Sequence, residues 1–150
     1  MDDLAAYGAV LSGDMLFEKS ITPMVIVDSA RRIIKANLRF YDLFGYTTEE
    51  VVGESTAVLT PSIAHFEEYT KYFEKTRDGS YESSELQYRK KDGTLFWVKL
   101  TGIPIQTNVE RFILWSFDNI NKEVKAREEI RNRQRELEVI FDTVWAGLVY

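Results

Sequence analysis

Tyr88-Arg89-Lys90-Lys91-Asp92-Gly93-Thr94-Leu95-Phe96-Trp97-Val98 is the stretch whose reading decides the fold. Asp92-Gly93 is a strong short-range hairpin signal when strand-like arms flank it. Both arms alternate. Before the turn, Ser83–Arg89 puts Ser84, Leu86 and Tyr88 on one face and Glu85, Gln87 and Arg89 on the other. After it, Leu95–Ile105 puts Phe96, Val98 and Leu100 on one face and Trp97, Lys99 and Thr101 on the other. Gln106-Thr107-Asn108 reads as a turn into a third strand, Arg111–Asp118. Three consecutive antiparallel strands make a meander with one core face.

Working outward, the upstream chain reads as material packed on that meander. Met24-Val25-Ile26-Val27 and Ile33-Ile34-Lys35-Ala36 are short β-branched runs, joined by Ser29-Ala30-Arg31-Arg32 as a turn. Asn37 is placed to cap a helix through Phe40 and Phe44, and Gly45 to end it in a left-handed conformation. Thr47 and Glu50 have capping-box spacing. A loop or single turn is expected over 54–60. Thr60 then caps a helix with Pro61 at its first position and Ile63, Phe66, Tyr69 and Phe73 along one face. Residues 1–20 carry Leu4, Tyr7, Leu11 and Met15 at helical spacing, as a helix lying on the sheet or one that pairs with a second copy.

Downstream, residues 121–143 contain no Gly or Pro and are strongly charged. Ala126, Ile130, Arg133, Leu137, Ile140 and Val144 alternate spacings of four and three. That is a short heptad seam broken once, at Arg133, or the face of an amphipathic helix packed on its own domain. The reading divides the chain into an N-terminal helix (1–20), an α+β domain (21–120), a linker helix (121–143) and a strand-like apolar end (144–150). The domain is expected to hold a five-stranded antiparallel sheet with short helices on one face.

Composition narrows the function classes. The net charge of −5 disfavours a partner held by phosphate contacts, so no nucleic acid is expected. There is no cysteine. That removes thiolate metal sites, Cys nucleophiles and Cys-linked flavin, and fits a reducing compartment such as the cytoplasm. No apolar run reaches the length of a membrane span, so no direct membrane contact is expected of these residues. A longer, membrane-anchored parent is left open. Gly-rich phosphate loops, nucleophile elbows and metal-ligand clusters are missing, and the chain is not expected to be an enzyme.

Residues 16–120 resemble a bacterial PAS sensor domain. The likeness rests on Met24–Asp28 followed by Ile33–Asn37, on Phe44-Gly45-Tyr46-Thr47-Thr48-Glu49-Glu50-Val51-Val52-Gly53, on Arg89–Gly93 followed by Phe96-Trp97-Val98, and on Ser116-Phe117-Asp118-Asn119-Ile120. In the last motif Asn119 separates Asp from Ile, and Asn121 stands where the family commonly has Thr. The resemblance implies a PAS sheet and a signalling role without naming a ligand. Such domains are input modules of diguanylate cyclases, histidine kinases or chemoreceptors, so an output domain is expected in the same polypeptide. It also implies that Val139–Tyr150 opens a second PAS domain.

The candidate pocket between sheet and helices is lined, on this reading, by Ile26, Phe40, Phe44, Leu59, Phe66, Leu86, Tyr88, Val98, Leu100 and Leu114, with Tyr88, Ser84 and Ser116 as polar groups. Large aromatics more often fill a core than leave a cavity, so a filled core is favoured over a ligand. His65, the one histidine, is not assigned as a haem ligand, and no metal is expected. Asp118 is expected to cap the terminal helix and couple it to the sheet. Ala126, Ile130, Leu137, Ile140 and Val144 form the expected seam of a homodimer. Two functions stay open: a sensor that relays a small ligand or partner, and a ligand-free dimerisation module.

Overall fold

Gly93, at φ 91°, closes the central hairpin as its Asp-Gly signal predicts. Lys90 N donates to Thr94 O, Gly93 N donates to Lys90 O, and Asp92 Oδ1 accepts from Thr94 N, each at 2.9 Å. A computed structural model describes residues 13–79 and 83–148. In chain order the elements are α1 (Gly13–Lys19), β1 (Met24–Val27), β2 (Ile33–Ala36), α2 (Leu38–Phe44), α3 (Thr48–Val51), a 3-10 turn (Thr56–Leu59), α4 (Ile63–Glu68) and α5 (Thr70–Arg77). They continue with β3 (Ser83–Arg89), β4 (Leu95–Gln106), β5 (Arg111–Asn119) and α6 (Asn121–Leu148). The chain divides into two units, one ending at Asn119 and one beginning at Ile120.

In the first unit the five strands form one antiparallel sheet in the order β2-β1-β5-β4-β3, the architecture expected from the meander and the two upstream runs. Register sets the core face. Leu86 pairs with Val98 and Tyr88 with Phe96, Leu100 lies opposite Phe117, and Val25 opposite Trp115. These residues are buried against Phe40, Phe44, Val51, Leu59, Tyr69 and Phe73 of the short helices and the 3-10 turn.

Gly102 sits in this core row opposite Trp115. A Cβ there would run into Trp115 Cζ3 and come within 2.8 Å of Thr76 Cγ2. The Trp115 ring lies over the bare backbone. Gly102→Ala is expected to cost about 1–3 kcal/mol through overpacking. Urea denaturation checks this, and an unchanged midpoint would show that the ring shifts freely.

Caps explain the helix boundaries. Asn37 Oδ1 accepts from Phe40 N at 3.0 Å, Gly45 takes φ 84°, and Thr47 N donates to Glu50 Oε1 at 3.0 Å. The helix expected from Thr60-Pro61 begins later. Ser62 caps α4, its Oγ accepting from His65 N at 3.2 Å, while Thr60 is buried with its hydroxyl donating to Ala57 O at 2.8 Å. The helix also breaks at Tyr69, and Ile63 at its start is exposed rather than on the buried face. Of the N-terminal stripe, Leu4, Tyr7 and Leu11 lie outside the described residues; Met15 is exposed and Phe17 buried.

The second unit is α6. It is helical past residue 143, through Val144-Trp145-Ala146-Gly147-Leu148, where a strand-like segment was expected. Unbroken helix formers from Asn121 onward, without a Gly or Pro before Gly147, let the pattern propagate. Among the described residues no helix is long and apolar enough to cross a membrane.

Candidate functional site

Between the sheet and the helices lies a cavity of about 30 Å³. That volume holds a water or two. Leu59, Tyr88 and Leu100, three of the residues expected there, line it. Phe40 and Phe44 do not. They are fully buried and fill the core, with centroids 4.7 Å apart and Phe44 stacked edge-on to Phe96 at 5.5 Å and Phe117 at 5.3 Å. Leu86 and Val98 are also core without lining the cavity, and Ser84 stands half-buried at the start of β3.

Three expected lining residues belong to the other side of the sheet. Leu114 and Ser116 alternate with the buried Ile113, Trp115 and Phe117, and Ile26 lies between the buried Val25 and Val27. A one-residue change of parity moves a whole strand's set of side chains to the other face. β1 and β5 carry apolar residues on both faces, so their own pattern does not choose; pairing with β4 does. Phe66 is likewise not a lining residue. Its ring lies 3.7 Å beneath the Arg31 guanidinium carbon.

Arg31 is the feature that alternation and motif spacing missed. Asp28 Oδ1 accepts from Ala30 N and Arg32 N, both at 2.9 Å, and this tight turn leaves Arg31 at φ 62°. A left-handed conformation is uncommon for a residue with a Cβ. It sends the side chain to the break between α4 and α5, where Nη1 donates to Phe66 O and Thr70 Oγ1, each at 3.0 Å. Arg31 therefore takes up a carbonyl that the interrupted helix leaves free, and it lines the cavity. Burial pulls its pKa below the ordinary arginine value, opposed by Tyr88. Tyr88 is fully buried beside it, and desolvation pushes its phenol well above the ordinary tyrosine range, so it stays a hydrogen-bond donor. Tyr69 Oη donates to Gln87 O at 2.8 Å and accepts from Gln87 N at 3.2 Å, which pins the helix break to β3.

His65 lies outside the cavity lining, with Nδ1 2.7 Å from Ser62 Oγ. Among the described residues no cluster of His, Cys, Asp or Glu is arranged to hold a metal. Asp118 is not in the capping position. β5 runs on to Asn119, α6 starts at Asn121, and Asp118 is an exposed strand residue paired with Lys99. The strand continues because Val98 and Asn119 still pair across β4 and β5. On α6, Ile130, Leu137, Ile140 and Val144 are exposed, as are Val139, Phe141 and Trp145 beside them.

The fold and this core define a sensory module of the PAS type, and the match to the PAS domain family runs over residues 21–122. The chain belongs to that family. It is similar to the Sensor protein TdiS of Thauera aromatica, 26% identical over 125 residues that cover 79% of this chain and 22% of that protein. It is similar also to the Sensor histidine kinase TmoS of Ectopseudomonas mendocina, 27% identical over 125 residues, 81% of this chain and 13% of that one. The chain thus spans less than a quarter of the length of either relative. Among solved structures, the PAS domain of an HTR-like protein from Haloarcula marismortui superposes with a TM-score of 0.67 at 22% identity, covering 79% of this chain and 96% of that one.

Proposed function

We propose that this PAS domain is the sensory module of a multidomain bacterial signalling protein working in the cytoplasm. It responds to a small ligand or partner at its core and passes its state through α6 to an output domain in the same polypeptide. It works as a homodimer joined along α6. The exposed stripe on α6 carries this reading: Ile130, Leu137, Ile140 and Val144 recur at heptad spacing and are all more than half exposed. So much apolar surface on a charged helix is covered when a second helix packs along it. The similarity to much longer sensor proteins supports an output domain in the same polypeptide.

A second reading, a dimerisation module without a ligand, is favoured by the small cavity. The aromatic residues fill the core, and a cavity of about 30 Å³ supports a filled core over a large bound ligand. No cofactor is assigned to His65.

Light scattering at high micromolar concentration tests the pairing. The chain is expected to run as a dimer, and Leu137→Asp with Ile140→Asp as a monomer with an intact sheet unit. A wild-type monomer would retire the dimer.

A further inference from the structure

The polar corner of the cavity is built around a cation, Arg31, without a carboxylate partner among the described residues. Arg31 is half-buried. Its hydrogen bonds there use Nη1 alone. Among the described residues no hydrogen bond uses the Nε–H and Nη2–H edge of the fork, and the guanidinium lies over the Phe66 ring. Tyr88 is only 6% exposed. A half-buried charge without a counter-ion is costly, and Tyr88 lines the same cavity. They occur side by side, and a turn at φ 62° puts one of them there.

We propose that this corner binds the carboxylate of a small organic acid, held by that edge of Arg31 and by the Tyr88 hydroxyl. The inference rests on the ligand-sensing reading above and names its chemistry. A guanidinium edge matches a planar carboxylate with two parallel hydrogen bonds, and a phenol adds a third. The cavity of about 30 Å³ takes a carboxylate head group. It is too small for a phosphate ester or a ring. An acid longer than acetate displaces α4 or α5, and Arg31 already holds both of them through Phe66 O and Thr70 Oγ1. Occupancy of the site is thereby tied to the helix break.

The test is NMR titration of the whole 150-residue chain at constant ionic strength with acetate, malonate, acetamide, ethanol and inorganic phosphate. Acetate or malonate is expected to give saturable shifts at Arg31, Thr60 and Tyr88, and acetamide none. Arg31→Gly suits the left-handed turn, so it keeps the fold, and it is expected to weaken acetate binding roughly tenfold or more. Tyr88→Phe is expected to weaken it roughly threefold or more. Acetate binding left unchanged in Arg31→Gly would overturn the proposal, and so would tighter binding of phosphate than of acetate. Binding of acetamide or ethanol in preference to acetate would overturn the carboxylate while keeping a ligand-sensing core. Failure of every probe at about 100 mM, a weak limit even for a single ion-pair contact, would overturn both, and would leave the α6 pairing to its own measurement.

Discussion

Asn37→Ala is expected to destabilise the sheet unit by about 4 kcal/mol, the sum of a lost cap and of buried partners left unpaired. Asn37 is fully buried, and its side chain makes four hydrogen bonds. Oδ1 accepts from Met24 N at 2.9 Å and Phe40 N at 3.0 Å, while Nδ2 donates to Thr22 O at 2.9 Å and Phe17 O at 3.0 Å. One amide thus ties the end of α1, the start of β1 and the first turn of α2 together. Alanine leaves buried backbone groups without partners, which costs more than the bonds themselves contribute. For a unit of this size the melting temperature should fall by roughly 15 °C or more. Asn37→Ser restores an acceptor for Phe40 N and is expected to recover only about 1 kcal/mol, the capping part. A loss below about 1 kcal/mol in Asn37→Ala, measured by thermal and urea unfolding, would mean that water replaces the amide and that Asn37 is an ordinary cap.

Phe44→Ala is expected to cost about 3–5 kcal/mol, the usual range for truncating a buried phenylalanine. Phe44 has no exposed surface and touches Phe40, Tyr88, Phe96 and Phe117 through ring contacts of 4.7–6.2 Å. The residue is filler, and its loss opens an apolar void beside the small natural cavity. Urea denaturation should show a lower midpoint with an unchanged slope, since the same surface is exposed on unfolding. Ser84→Ala, a change at a half-buried position outside the cavity, serves as the contrast and should stay within about 0.5 kcal/mol. A loss from Phe44→Ala no larger than from Ser84→Ala would mean that the aromatic cluster repacks around the gap.

Local sequence determined much of this protein because the signals concerned are local. Asp92-Gly93 between alternating arms specifies the hairpin, since the turn demands a residue tolerant of positive φ and the arms demand one apolar face. Asn37, Gly45 and the Thr47–Glu50 pair mark helix ends through bonds to backbone a few residues away. Gly-free and Pro-free heptad spacing likewise announces α6. What tertiary structure alone decided is whatever depends on a partner distant in sequence. The inward parity of β1 and β5 comes from pairing across the sheet, which is why Leu114 and Ser116 face away from a pocket they were expected to line. The late start of α4 comes from burial of Thr60, and the break at Tyr69 from its hydroxyl reaching Gln87, 18 residues on. Arg31 shows the limit most clearly. In sequence it is one of two arginines in a turn. Only the folded chain, by closing that turn left-handed and setting the side chain between a helix break and a buried phenol, makes it the single charged group among the described residues that line the cavity.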